Sequence, residues 1–388
     1  MSEPSSPKLI SKPSSHELTG SEPSPRKVSR REFVGGLAAG VALGVAGSLR
    51  PRVASAAAAP QSLTYTNPVY SGSMPDPFVL RHRGVYYAFG TTGTERKADG
   101  RVYTVLRSTN LVDWQEAGGA LDPPTPDPAF QYWAPEVAYD GGTFYLYYSM
   151  GGKEEEKFEI RVATSRRPEG PYKDAGVKLI DCVNNRFTID AHPFRDTDGR
   201  WYMFYARNFT DREGGAHPGT AIVVDRLVGM TKLAGECRTV LRAREAWTLY
   251  EANRRMDVYN QTFDWHTIEG AFVRKHAGRY YCFYSGSNWQ TPNYGVDYAV
   301  ADKVTGPYTG QGAEARVLRG VAGRVRGPGH HSIVAGPDGK TDYFVYHAWD
   351  EGMKVRQLCI DRLVWTPAGP RLATGGPTYT PQPRPAPR

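Results

Sequence analysis

The chain has 388 residues, 48 Lys/Arg against 40 Asp/Glu, 12% aromatic residues and four cysteines. Part of the +8 net charge sits in the first 56 residues; without them the net charge is +4 and no Lys/Arg block remains, which argues against a nucleic-acid partner. Cys182, Cys237, Cys282 and Cys359 are widely spaced with no C-x-x-C pair, so metal-ligand spacing is absent; three disulfide pairings are open, and buried reduced thiols are the expected state.

In chain order, residues 1–28 are rich in Ser, Pro, Glu and Lys without apolar periodicity and read as a disordered leader. S-R-R-E-F-V at 29–34 then opens a Gly/Ala-rich apolar run that ends in V-A-S-A-A-A-A. Paired arginines, a mildly hydrophobic core and an A-x-A site together predict a twin-arginine export signal, cleaved after Ala56. A membrane anchor is the alternative, but the run at 34–49 is short and glycine-rich for a bilayer span. The expected product is a secreted monomer without stable membrane insertion, whose partners are the twin-arginine machinery and its substrate. Residues 371–388 form a Pro-rich tail that composition predicts cannot build a core.

Between 62 and 370, strand-like runs separated by Gly/Asp turns predict an all-β domain. A short apolar run, a polar or glycine turn and an aromatic run recur five times, starting at Asp76, Glu136, Asp190, Glu269 and His331. Each copy reads as a β-hairpin, and starts about 55 to 80 residues apart leave room for one four-stranded sheet per copy. Five such sheets predict a five-bladed β-propeller with its active site at one end of the central axis. A jelly roll or sandwich does not predict five similar hairpins.

In four copies a carboxylate directly precedes the first strand: Asp76, Glu136, Asp190 and Glu269. If first strands line the axis, these acids converge, with G-P-G-H-H-S at 327–332 joining them from the fifth copy. Like charges in one pocket cannot all ionise normally, which separates an acid from a base, as glycoside hydrolysis requires. Calcium binding is the competing use of clustered carboxylates, but no compact D-x-D-x-D-G loop is present; D-T-D-G at 196–199 reads as a hairpin turn.

The region 62–370 resembles glycoside hydrolase family 43. P-D-P-F at 75–78, Y-W-A-P-E-V at 132–137, I-D-A-H-P-F at 189–194 and T-I-E-G-A-F at 267–272 carry the resemblance by their order and spacing. S-T-N-L-V-D-W, R-R-P-E-G-P-Y and K-V-T-G-P-Y support it. The resemblance implies Asp76 as general base, Glu269 as general acid and Asp190 as the residue that orients Glu269 and raises its proton affinity. It further implies Trp133 as an apolar wall for the sugar, Arg356 aimed at the sugar and His330 at the axis, with His331 as the alternative inward residue. Glu136 is expected to be structural. No metal ligands are assigned and no cofactor is required, although the resemblance allows for a calcium ion near the axis.

Relatives commonly have I-D-P where this chain has I-D-A-H, so the Asp190 loop is expected to present His192 to the pocket. Part of segment 211–265 is expected to wall the site. The implied activity is an exo-acting α-L-arabinofuranosidase or β-xylosidase that inverts configuration. The alternatives are an endo-arabinanase, an exo-galactanase or a non-catalytic carbohydrate-binding propeller.

Overall fold

The computed structural model describes residues 63–152, 157–180 and 186–387; the leader, the export signal with its cleavage site, and Cys182 lie outside the described residues. The described chain is all-β, and five antiparallel meanders account for most of it. Their innermost strands are Phe78–His82, Gln131–Asp140, Thr188–Arg195, Ile268–His276 and Arg326–Ala335. Each packs against the innermost strand of the next meander, and the fifth returns to the first, so the five form a closed ring. No helix among the described residues is long and apolar enough to cross a membrane.

Strand side chains alternate between faces, and here both faces are apolar. In V-Y-Y-A-F at 85–89, Tyr86 and Ala88 pack towards the fifth meander, while Tyr87 and Phe89 pack towards the second. The same division repeats in the fourth, where Cys282 and Tyr284 face the third meander and Phe283 faces the fifth. Five apolar clusters therefore fill the five gaps between adjacent meanders. This accounts for strands read as unbroken aromatic runs.

Two G-P-Y corners illustrate the internal repeat. The buried Tyr172 and Tyr308 hydroxyls donate back to the carbonyls of Pro168 and Val304 at 2.7 and 3.1 Å. D-T-D-G at 196–199 is a hairpin turn, as expected, closed by Asp196 N donating to the Arg200 carbonyl at 2.9 Å.

Near the top of each inner strand a left-handed residue recurs: Asp76, Ala134, Asp190, Gly270 and His330, with φ of 52°, 41°, 61°, 56° and 40°. Non-glycine residues seldom adopt this region, and local strain of this kind is held only where neighbours fix it. The neighbours are visible. The amides of Asp76, Ala134, Asp190 and His330 donate across to His347 Nδ1, Thr91 Oγ1, Ser149 Oγ and Ser285 Oγ of the preceding meander, at 3.1, 2.8, 3.0 and 2.9 Å. Gly270 N donates instead to Asp190 Oδ2 at 3.0 Å.

This register corrects the expectation that four acids occupy one repeat position. Only Asp76 and Asp190 stand at the left-handed residue; Glu269 precedes it by one and Glu136 follows it by two. Two residues change depth along the ring, so Glu136 is buried below the site, where its Oε2 meets His192 Nδ1 at 2.7 Å.

The chain ends add contacts that composition did not show. Thr64–Tyr65 pairs with Gln382–Pro383, and Asn67 mimics a strand neighbour, exchanging 2.9 Å hydrogen bonds with both backbone groups of Ile360. Thr378 is buried and bonds through its amide and hydroxyl to the Asp361 carboxylate, while Arg384 forms a two-pronged bridge to Asp113 at 2.6 and 2.9 Å. The Pro-rich tail builds no core of its own, but it straps the fifth meander to the first. Cys282 and Cys359 are buried free thiols, as expected, whereas Cys237 is exposed.

Candidate active site

The left-handed residues crown a cavity of about 510 Å³ whose lining includes Asp76, Asp190, Glu269, Trp133, His330 and Arg356. All six residues singled out in the sequence are thus brought together from five meanders. His330, not His331, faces the cavity. His331 sits one residue deeper, stacked on Phe344 with ring centroids 4.4 Å apart and planes 6° apart. His192 does not reach the cavity either: its Nε2 accepts Val273 N at 3.0 Å and its Nδ1 is taken by Glu136.

Asp76 is held as an anion. Burial pushes its proton affinity up, but Arg356, whose Nη1 lies 2.8 Å from Oδ1, outweighs it, helped by His330, His347 and a Thr91 hydrogen bond; the carboxyl falls well below the usual range. Burial drives both imidazoles towards the neutral form, leaving Arg356 as the cation that persists at neutral pH. The guanidinium is itself fixed by aromatic faces, 4.5 Å from the Trp289 ring centroid and 5.6 Å from that of Trp349.

Glu269 is biased the other way, towards its protonated form. Burial raises its carboxyl to about 7, a hydrogen bond from Tyr294 opposes the shift, Asp76 adds to it and Arg356 opposes it. Asp190 is also pushed up, by burial first and then by Glu269 and Asp76, while the Gly270 amide pulls it down. Its Oδ2 accepts the Gly270 amide next to Glu269, and the Glu269 charge adds to the upward push on Asp190. Two buried carboxylates that share protons titrate as a pair.

Trp133 borders the cavity with its ring stacked on Phe158, centroids 3.9 Å apart, and its Nε1 donating to Gln131 Oε1 at 3.0 Å. On another side stands a hairpin from the 211–265 segment and its end, Leu249–Met256 with Gln261–His266, expected as a wall. It has its own small core of Met256, Phe263 and Trp265, and it presents Tyr250, Arg254 and Trp265 to the cavity.

Sequence reasoning missed Tyr294, His347 and Trp289. His347 stands opposite Gly329 in the second strand of its meander, as Ser149 stands opposite Trp133, so aligning second strands would have found it. Below the site His331 packs with Phe272, Phe283 and Phe344 in the apolar gap between the fourth and fifth meanders, and among the described residues no group of three or more His, Cys, Asp or Glu could hold a metal.

An anionic carboxylate and a proton-carrying carboxyl in one cavity are the two groups that glycosidic bond hydrolysis uses. The comparisons agree. A β-D-galactofuranosidase of Aspergillus niger is 27% identical over 321 residues, covering 78% of this chain and 83% of that protein. An extracellular exo-α-(1→5)-L-arabinofuranosidase of Streptomyces chartreusis is 26% identical over 340 residues, covering 84% and 92%. The crystal structure of a thermostable family-43 glycoside hydrolase superposes with a TM-score of 0.70 at 31% identity, covering 84% of this chain and 100% of that one. The model of glycosyl hydrolases family 43 matches residues 65–370, and the chain belongs to that family.

Proposed function

We propose that this protein is an exported, inverting exo-glycosidase on a five-bladed propeller, releasing single sugars from pentose-containing glycans as an α-L-arabinofuranosidase or β-xylosidase. The observation that carries this reading is the convergence of Asp76 and Glu269 on one cavity, the first against the Arg356 guanidinium and the second against the Tyr294 hydroxyl. The five apolar interfaces and the closed ring of inner strands support the propeller. The hairpin wall supports a cavity bounded on one side, which suits cleavage at chain ends. Export through the twin-arginine route rests on the sequence at 29–56 alone.

In this mechanism Asp76 takes a proton from a water as its oxygen attacks the anomeric carbon. Glu269 gives its proton to the glycosidic oxygen as that C–O bond breaks, and the hemiacetal leaves with inverted configuration. Asp190 keeps the Glu269 segment in place through the Gly270 amide. Trp133 offers an apolar face to the sugar, and Arg356 fixes the base.

The test is a panel of aryl α-L-arabinofuranoside, β-D-xyloside and β-D-galactofuranoside with linear arabinan, run with wild type, Asp76→Ala and Glu269→Ala. Turnover of an aryl pentoside is expected, with each variant losing about 10²–10⁴-fold. Wild type inert on every substrate, or variants with full activity, would overturn the assignment. NMR of the first-formed anomer is expected to show inversion, and initial retention would replace the water-activating base with a nucleophile.

A further inference from the structure

The proton donor has a buried neighbour that the mechanism above does not use. Tyr294 stands at the start of the third strand of the fourth meander, 1% exposed, and its hydroxyl donates to Glu269 Oε1 at 2.7 Å. Its ring lies nearly parallel to that of His347, with centroids 5.8 Å and planes 8° apart. The completely buried His347 in turn accepts the Asp76 amide at Nδ1, 3.1 Å away. A continuous path thus runs from acid to base through two side chains: Glu269, Tyr294, His347, Asp76.

The space for this ring is built in. Gly329 of G-P-G-H-H faces it so closely that a Cβ there would stand 2.2 Å from Tyr294 Cε1. Real Cβ atoms do not tolerate that distance, so the glycine keeps the ring against Glu269. An aromatic side chain with two torsions, clamped between Gly329 and His347, presents its hydroxyl with little freedom to swing away.

We propose that Tyr294 is a positioning residue for the proton donor, holding Glu269 in one orientation and setting the pH at which the donor is lost. The inference rests on the assignment of Glu269 as general acid. A hydroxyl that donates to a carboxylate favours its charged form. The other groups facing Glu269 are Asp76 and Arg356, with Asp190 coupled to it through the Gly270 segment and His330 across the cavity. None of them changes when only the Tyr294 hydroxyl is removed. Glu269 must be protonated to act, so activity falls as pH rises through its titration, and losing the donor moves that fall upward.

The experiment is Tyr294→Phe, which keeps the ring between Gly329 and His347. The pH profile of kcat/KM on an aryl glycoside is expected to move its alkaline limb up by about one to two pH units, with the acidic limb in place. A parallel ¹³C NMR titration of Glu269 in the full chain should show the same upward shift, and this readout does not need turnover. A uniform drop at every pH, with an unmoved Glu269 titration, would reduce Tyr294 to packing and overturn the proposal. The two readings fail separately. Full activity in Glu269→Ala would remove the acid assignment, whereas an essential Glu269 with an unshifted limb would remove only the role of Tyr294.

Discussion

Replacing Arg356 by Met tests the electrostatics of the base directly. The guanidinium lies 2.8 Å from Asp76 Oδ1, and the two side chains are only 13% and 12% exposed. At that separation and an effective dielectric near 20, Coulomb's law gives an attraction of about 6 kcal/mol, an upper bound because burial of both charges opposes it. The net effect of an adjacent cation on a carboxyl is about 1–3 pH units. His330 and His347 cannot replace the lost charge at neutral pH, because burial holds both towards the neutral form.

The acidic limb of kcat/KM, which reports loss of the Asp76 anion, should therefore climb by about 1–3 pH units in Arg356→Met. Arg356→Lys should restore part of the difference. The absolute rate is a poor guide, since Arg356 also lines the cavity, so the diagnostic quantity is the position of the limb. Stability follows the same sign. A carboxyl depressed in the folded state stabilises it above the ordinary carboxylate range, and this contribution is lost as pH falls through the folded value. The variant should melt lower than wild type at pH 7, and the gap should narrow in acid. An acidic limb that coincides with wild type would refute the role of Arg356 in holding the base ionised.

Two further outcomes are expected. Asp361 is a buried carboxyl raised to about 6 by burial, against the hydrogen bonds from Thr378 and Tyr346, so wild type should lose stability as pH rises from about 4 to 6; Asp361→Asn should flatten that slope in thermal melts, and an unchanged slope would contradict the assignment. Trp133→Ala should raise KM for an aryl pentoside by about tenfold or more while leaving the limbs of the pH profile in place, because it removes an apolar face and no charge; unchanged KM would place the sugar elsewhere in the cavity.

The acids were legible because each sits beside a short pattern that recurs with the fold. P-D-P-F, I-D-A-H-P-F and T-I-E-G-A-F each mark the top of an inner strand, and the ring carries them to one rim. What the sequence hid was register. Acids counted as equivalent differ by one to three residues around a β-bulge, and that offset sends Glu136 down the axis while Glu269 stays in the cavity. Tyr294 and His347 were hidden for another reason. Neither lies in an inner-strand motif, and each acquires its role only from a partner contributed by a distant strand, at Glu269 and Asp76. The signal that was present lay in Gly329, a glycine inside an inner strand, which marks close approach of something large. Composition speaks to apolar burial and so says nothing of how the tail attaches. Thr378 and Arg384 instead act through hydrogen bonds and charge.

The strap at residues 378–384 gives the ring a seam. Its contacts join positions far apart in the chain, Asp113 with Arg384 at a separation of 271 and Asn67 with Thr378 at 311. Contacts of such length form late in folding, after the meanders they join, and their loss opens two apolar faces at once. An open array of repeats can shed a terminal unit at modest cost, but a closed ring cannot: it holds or it opens at the seam. The strap therefore adds polar contacts to a junction that an apolar cluster also closes, and its loss should lower resistance to heat and proteases without touching the cavity. A chain cut after residue 370 would keep every residue of the site and lose the clasp.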